Sequence, residues 1–193
     1  MRCGVLALQG DWAAHAAVLN NLNIETVLVR TAEELETVDA LVLPGGESTA
    51  MLRLMEPEQL AEKITRRVRN GLPVLATCAG VILLATATRP AQPSLALLDI
   101  EVERNAYGRQ VHSRVAAVEL TEVLGEPAVI EGVFIRAPKI TRIGPAVSVL
   151  GWLGNDPVLI RQGGIIAATF HPELTDDHRV HRLLVDEEAG HDR

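Results

Sequence analysis

The stretch Pro73-Val-Leu-Ala-Thr-Cys-Ala-Gly-Val-Ile-Leu-Leu84 leaves the backbone few courses. A short apolar run enters a cluster of small residues around Cys78, namely Ala76, Thr77, Ala79 and Gly80, and a second apolar run leaves it. This pattern predicts a strand, a sharp turn with Cys78 at its apex, and the start of a helix. Bulky neighbours would collide in such a turn, which is the geometry that presents serine nucleophiles on strand-to-helix elbows. At a helix N-terminus the positive end of the dipole favours a thiolate. A buried cysteine can equally do no more than pack, so the remainder of the chain has to decide.

The elbow sits in an alternating pattern. Gly4 to Leu8 reads as a strand ending at Gly10, after which Asp11 is placed to cap a helix running to about Leu22. Glu25 to Arg30 is a second strand, and Thr31-Ala-Glu-Glu34 has the form of a capping box opening a short helix. Asp39 to Leu43 is a third strand that runs into Pro44-Gly-Gly-Glu-Ser-Thr49; a helix follows, then another from Pro57 to Asn70 with a stop at Gly71. Nearly all-apolar strands alternating with helices predict a parallel sheet covered on both faces. Functional residues of such sheets gather at the C-terminal strand ends, where Gly10, Gly45, Gly46 and Cys78 all fall.

Past Pro90 the pattern changes. Ile100–Arg104, Arg114–Leu120, Val129–Ile135, Val147–Leu150, Val158–Arg161 and Ile165–Phe170 read as short, mainly antiparallel strands. The last leads to His171-Pro-Glu173, and Thr175-Asp-Asp177 opens a terminal helix with an acidic first turn. No linker divides the chain, so one domain over residues 1–193 is expected.

Composition removes several function classes. With 25 acidic against 18 basic residues and only 3% aromatics, the chain lacks both the charge for a phosphate backbone and the platforms for stacked bases. A nucleic-acid partner is not expected. The uncharged run Leu72 to Thr88 is short for a membrane span and is interrupted by Pro73, Thr77 and Gly80. Two cysteines, Cys3 and Cys78, suit a reducing compartment, and no basic region with a cleavage site precedes Gly4. A cytoplasmic protein without a membrane partner is the expectation. No His, Cys and Asp cluster has metal-ligand spacing, and neither a metal nor a cofactor is expected.

A thiol nucleophile needs a base, and the base needs an orienting acceptor. His171, with Glu173 two residues on and Pro172 fixing the backbone between them, is the best-placed candidate pair. The other histidines, His15, His112, His178, His181 and His191, stand in less constrained contexts. Gly45-Gly46 offers backbone N–H groups to a reacting centre, although it can also be read as a plain tight turn. The same stretch lacks the Lys of a phosphate loop and the G-x-S-x-G form, so Ser48 reads as a helix-start residue.

Pro44-Gly-Gly-Glu-Ser-Thr49, Thr77-Cys-Ala-Gly80 and His171-Pro-Glu173, in that order, resemble the class I, triad-type glutamine amidotransferases. Leu8-Gln-Gly10, Val102-Glu-Arg-Asn105 with Gly108-Arg-Gln-Val111, Val133-Phe-Ile-Arg-Ala-Pro138 and Phe170 to Thr175 narrow the likeness to the glutaminase subunits of pyridoxal 5′-phosphate synthases. The resemblance implies a three-layer αβα fold, its central sheet largely parallel with antiparallel strands added in the C-terminal half. It implies hydrolysis of L-glutamine to glutamate and ammonia through a thioester on Cys78. The ammonia would pass to a separate synthase subunit in a heteromeric complex that builds pyridoxal phosphate, or vitamin B6. Carried over by position, Cys78 is the nucleophile, His171 the base and Glu173 its orienter. Gly46 and Ala79 would supply the oxyanion hole, and Gly46, Glu47, Ser48, Arg104, Ile135 and Arg136 would hold glutamine. An arginine suits the substrate's free α-carboxylate.

The likeness departs at one place: the family loop commonly runs Gly, three residues, Glu-His, whereas Gly10-Asp-Trp-Ala-Ala-His15 carries Ala14 at the acidic position. Two other readings stand beside it. A cysteine-elbow enzyme acting on aldehydes or peptides usually takes its His directly after the Cys, where Ala79 stands here. A binding module with a decayed site is opposed by the intact Cys78, His171 and Glu173. Because glycine peptides rotate at little steric cost, the peptide before Gly46 is expected to turn its carbonyl into the site of the free chain, leaving activity dependent on the synthase.

Overall fold

The computed structural model of the chain describes residues 1–104, 114–121 and 128–185. Its centre is a nine-stranded sheet in the order β2-β1-β3-β4-β12-β11-β10-β7-β8. The parallel part comprises β1 (Arg2–Leu6), β2 (Glu25–Val29), β3 (Ala40–Leu43), β4 (Val74–Thr77) and β12 (Ile165–Ala168). Antiparallel pairing extends it through β11 (Asp156–Gln162), β10 (Ser148–Leu153), β7 (Arg114–Leu120) and β8 (Val129–Phe134). A second, three-stranded sheet joins β5 (Ala85–Arg89), β6 (Leu98–Glu103) and β9 (Lys139–Ile143).

Strand alternation explains why both faces of the large sheet are covered. Leu6, Leu41, Leu43, Val74, Ala76, Ile165 and Ala167 enter one buried cluster. It also takes Leu35 of α2 (Ala32–Glu36), Met51 and Met55 of α3 (Ser48–Met55), Leu60 and Ile64 of α4 (Leu60–Arg69), and Val81 to Leu84 of α5 (Ala79–Leu84). The intervening residues Val5, Val42, Leu75, Ile166 and Ala168 enter a second cluster with Leu19 of α1 (Trp12–Asn21) and Val180 and Leu184 of α6 (Arg179–Val185). Helices above and below a sheet whose side chains alternate between them make three layers, as expected.

Local signals are used where their chemistry allows. Thr31 and Glu34 form the reciprocal capping box on α2, and α4 stops at Gly71, whose φ of +99° suits a residue without a side chain. Asp11 precedes α1 but its side chain makes no capping hydrogen bond. The terminal helix begins later than expected, at Arg179, and Asp177 Oδ1 accepts the Arg179 N–H. Strands β5 and β9 were not anticipated. The run Leu72–Thr88 resolves into β4, the elbow, α5 and β5, and among the described residues no helix is long and apolar enough to cross a membrane. Asn105, Gly108 to Val111 and His112 lie outside the described residues, as does His191.

Candidate active site

Four adjacent parallel strands, β1, β3, β4 and β12, end on the same side of the sheet. Their following residues therefore meet: Gln9-Gly10, Gly45-Gly46, Cys78 and, three residues past β12, His171. Cys78 stands at the elbow between β4 and α5 with φ +45° and ψ −101°, a conformation unusual for a residue with a side chain. Its N–H donates to the Ala168 carbonyl (2.9 Å), which ties the elbow to β12. The Cys78 thiol reaches the Ile135 carbonyl at 3.8 Å. Gly80 has to be a glycine, because a Cβ there would lie 2.2 Å from the Leu43 carbonyl oxygen.

His171 is held by a bridge to Val133, its N–H donating to the Val133 carbonyl (2.8 Å). Its Nδ1 lies 2.7 Å from Glu173 Oε1, and both residues are buried. Gly45 packs against this imidazole: a Cβ on Gly45 would come within 2.4 Å of His171 Cε1. Burial alone would push His171 down, but its hydrogen bonds with Cys78 and Glu173, and their charges, outweigh it and lift the imidazole to about 10. Burial works against ionisation of Glu173 too. Interaction with His15 and His171, and the positive charge of His171, overcome it and hold the carboxyl well below the usual range. The result is a cysteine sulfur, an imidazole that retains its proton beside it, and a carboxylate anchored behind the imidazole.

Cys78, Ala79 and His171 line a cleft of 420 Å³ together with Gly46, Glu47, Ser48, Arg104, Ile135 and Arg136. Every residue named from the sequence as nucleophile, oxyanion donor or substrate contact thus faces one space, while Glu173 stands behind His171. The Glu47 carboxylate is committed to capping α3: it accepts from Ala50 N (2.8 Å), Thr49 N (3.2 Å) and the Thr49 hydroxyl (2.6 Å), with Arg104 at 3.7 Å. These contacts hold it below its ordinary range, the Thr49 hydroxyl most strongly. The Ser48 hydroxyl donates to Gln92 Oε1 at 3.1 Å.

The peptide before Gly46 is turned opposite to the expectation. The Gly45 carbonyl accepts from Asp11 N at 3.2 Å, on the β1 side of β3, whereas Cys78 follows β4 on the other side. In a trans peptide the N–H is antiparallel to the C=O, so the Gly46 N–H is directed toward the Cys78 side. Gln9 braces this arrangement by accepting the Glu47 N–H on Oε1 (2.8 Å). Among the described residues neither Gly46 N nor Ala79 N has an acceptor within the protein.

Two histidines passed over in the sequence lie directly behind the site. His15 of α1 and His181 of α6 are fully buried and contact each other, Nδ1 to Nε2, at 2.9 Å. The sequence did hold one signal for His15, the family's loop ending in His; nothing in it pointed to His181. Burial, and then the repulsion that would arise were the His15 ring protonated as well, push His181 down to about 3, with His178 acting the same way and Glu173 against it. Between the ordinary 6.5 and about 3 the unfolded chain binds a proton that folded His181 refuses, so stability is lost as pH falls through that window. The slope for one such group is at most about 1.4 kcal/mol per pH unit. Glu173 adds to this at lower pH, whereas the raised His171 loses its contribution only as pH rises toward about 10. His181→Phe is expected to flatten the urea-unfolding stability between about pH 6.5 and pH 4; a slope parallel to wild type would contradict it.

Comparison with known proteins agrees with this geometry. The model of the SNO glutamine amidotransferase family matches residues 5–189. The chain is 50% identical over 187 residues to the pyridoxal 5′-phosphate synthase subunit PdxT of Thermotoga maritima, covering 96% of this chain and 98% of that protein. It is 52% identical over 188 residues to the protein of the same name from Solibacter usitatus, covering 95% and 97%. A crystal structure described as a glutamine amidotransferase superposes with a TM-score of 0.88 at 45% identity, covering 95% of this chain and 97% of that one. A cysteine at a strand-to-helix elbow, a paired His171 and Glu173, and near full-length similarity coincide in one molecule, and the chain belongs to the SNO glutamine amidotransferase family.

Proposed function

We propose that this chain is the glutaminase of a pyridoxal 5′-phosphate synthase, hydrolysing L-glutamine through a thioester on Cys78 and delivering ammonia to a synthase subunit. The observation that carries the residue assignment is the convergence of Cys78, His171 and Glu173 at aligned strand ends, with two unpartnered N–H groups on the same cleft. The similarity to named synthase subunits supports the destination of the ammonia.

In this reading the Cys78 sulfur attacks the carboxamide carbon of glutamine, and the oxygen becomes an anion facing Gly46 N–H and Ala79 N–H. His171, already holding a proton, gives it to the departing nitrogen, and ammonia leaves as the thioester forms. Water then attacks the thioester with His171 taking its proton, the sulfur departs, and glutamate is released. Glu173 fixes the tautomer and plane of His171 throughout. Arg104 and Arg136 are the cations in reach of the substrate's α-carboxylate. With the Glu47 side chain occupied in capping, the Gly46–Ser48 stretch would bind glutamine mainly through its backbone.

The test is ammonia release from glutamine by the full chain, alone and with a synthase subunit added. Turnover in the mixture, with a glutamine-derived label recovered on Cys78, is the expected result. Absence of turnover with the synthase present would overturn the function. The N–H-inward Gly45–Gly46 peptide means that any synthase dependence would have to come from something other than rotation of that peptide.

A further inference from the structure

The polar chain does not end at Glu173. The far carboxylate oxygen, Oε2, is buried without a well-formed hydrogen bond, and the nearest polar nitrogen is His15 Nε2 at 3.4 Å. His15 Nε2 is also 3.1 Å from the Thr77 hydroxyl, and its Nδ1 is 2.9 Å from His181 Nε2. All of these groups are buried. Three elements supply them: α1 brings His15, the last residue of β4 brings Thr77, and α6 brings His181.

Proton positions follow from counting donors. The 2.9 Å contact between the two rings needs one N–H, carried by one ring or the other. If His15 carried it on Nδ1, neutral His181 would hold its proton on Nδ1, a buried atom with no partner. Glu173 Oε2 would at the same time face a bare nitrogen lone pair. An orphaned buried N–H and an unpaired buried carboxylate oxygen are both costly. If His181 carries it on Nε2, then His15 accepts on Nδ1 and holds its own proton on Nε2. That N–H then has the Thr77 hydroxyl at 3.1 Å and Glu173 Oε2 at 3.4 Å as its acceptors in reach, and of the two rings' nitrogens the one left unpaired is a lone pair.

We propose that His15 is a positioning residue of the glutaminase site: its Nε2–H, fixed in that tautomer by a hydrogen bond from His181, anchors the far oxygen of Glu173 and thereby the carboxylate that orients His171. This rests on the Cys78, His171 and Glu173 reading given above. The near oxygen alone would leave Glu173 free to rotate about its terminal bond; a donor on each oxygen fixes the carboxylate plane, and with it the imidazole plane. His15 touches neither substrate nor sulfur, so its loss acts on the chemical step and not on glutamine binding.

Nitrogen-15 NMR of the imidazoles in the full wild-type chain reads the tautomers directly. Neutral Nε2–H forms of both His15 and His181 are expected; Nδ1–H on His15, or a doubly protonated His15 ring, would overturn the proposal. In the complex with synthase, His15→Leu is expected to lower kcat by about tenfold to a hundredfold, as loss of an orienting outer partner does, with KM for glutamine little changed. His15→Gln, whose amide keeps an N–H donor, is expected to recover part of the loss. Wild-type kcat in His15→Leu, or a loss confined to KM, would overturn the role. Cys78→Ala separates the levels: turnover in that variant defeats the nucleophile assignment itself, whereas an inactive Cys78→Ala beside a fully active His15→Leu defeats only the role of His15.

Discussion

Cys78→Ala is expected to cut glutamine turnover by about 10⁴-fold or more while leaving the fold in place. The chemical reason is that no other group in the cleft can form the thioester. The structural reason is that Cys78 enters neither hydrophobic core cluster and lines the cleft, its sulfur 3.8 Å from the Ile135 carbonyl. Alanine keeps the Cβ, so the positive-φ elbow is no more strained than before. Far-ultraviolet circular dichroism should be unchanged, and the glutamine-derived label should no longer attach. Turnover at a few per cent of wild type, or a covalent adduct still found on the chain, would contradict the assignment. His171 should also respond: without the sulfur, one of the two partners that hold its proton is gone, and its titration should move downward from about 10.

Gly10→Ala is expected to cripple the site from outside it. Gly10 has φ +92°, and a Cβ there would fall 1.8 Å from the Gly45 carbonyl oxygen and 3.1 Å from Gly46 Cα. Both are backbone atoms, so no side chain can rotate out of the way. The β1–α1 turn and the Gly45–Gly46 turn would be forced apart, which breaks the Asp11 N–H to Gly45 carbonyl bond that orients the Gly46 N–H. Loss of one oxyanion donor costs about 10² to 10³ in kcat, and the strained φ costs about 1–3 kcal/mol of stability. Gly71→Ala is the control, because Gly71 shares the positive φ, at +99°, but a Cβ there meets nothing within 4 Å. It should lose stability and keep kcat. Equal kcat in the two variants would show that the Gly10–Gly45 contact does not shape the site.

Much of this site was legible because its signals are local. A strand-to-helix elbow needs small residues around its apex, so Ala76, Thr77, Ala79 and Gly80 mark Cys78 whatever surrounds it. His171 and Glu173 are two residues apart, and their 2.7 Å contact needs no distant element. Strands β5 and β9 were missed for the complementary reason. Both lie at the edges of the three-stranded sheet and expose much of their length, so neither carries the continuous apolar run of a doubly covered strand. The acidic residues before α6 have the composition of a first turn, yet Asp177 caps the helix from outside.

The amino-acid sequence by itself determined the alternating strands and helices, the elbow, the His171 and Glu173 pair and the family, because these depend on periodicity, side-chain size and residue order. Only the tertiary structure decided which strand ends meet. The β12 strand closes the C-terminal half of the chain, where pairing is mostly antiparallel, yet it inserts parallel to β4, and that one pairing sets His171 beside Cys78. The direction of the Gly45 carbonyl was likewise undecided until a partner appeared, since both peptide orientations are open to adjacent glycines and the Asp11 N–H selects one. His15 and His181 became more than two scattered histidines only when α1 and α6 packed on the same face of the sheet. A hydrogen bond between residues 166 positions apart leaves no trace in composition or spacing; it exists because folding removes both rings from water and leaves each the other as a partner.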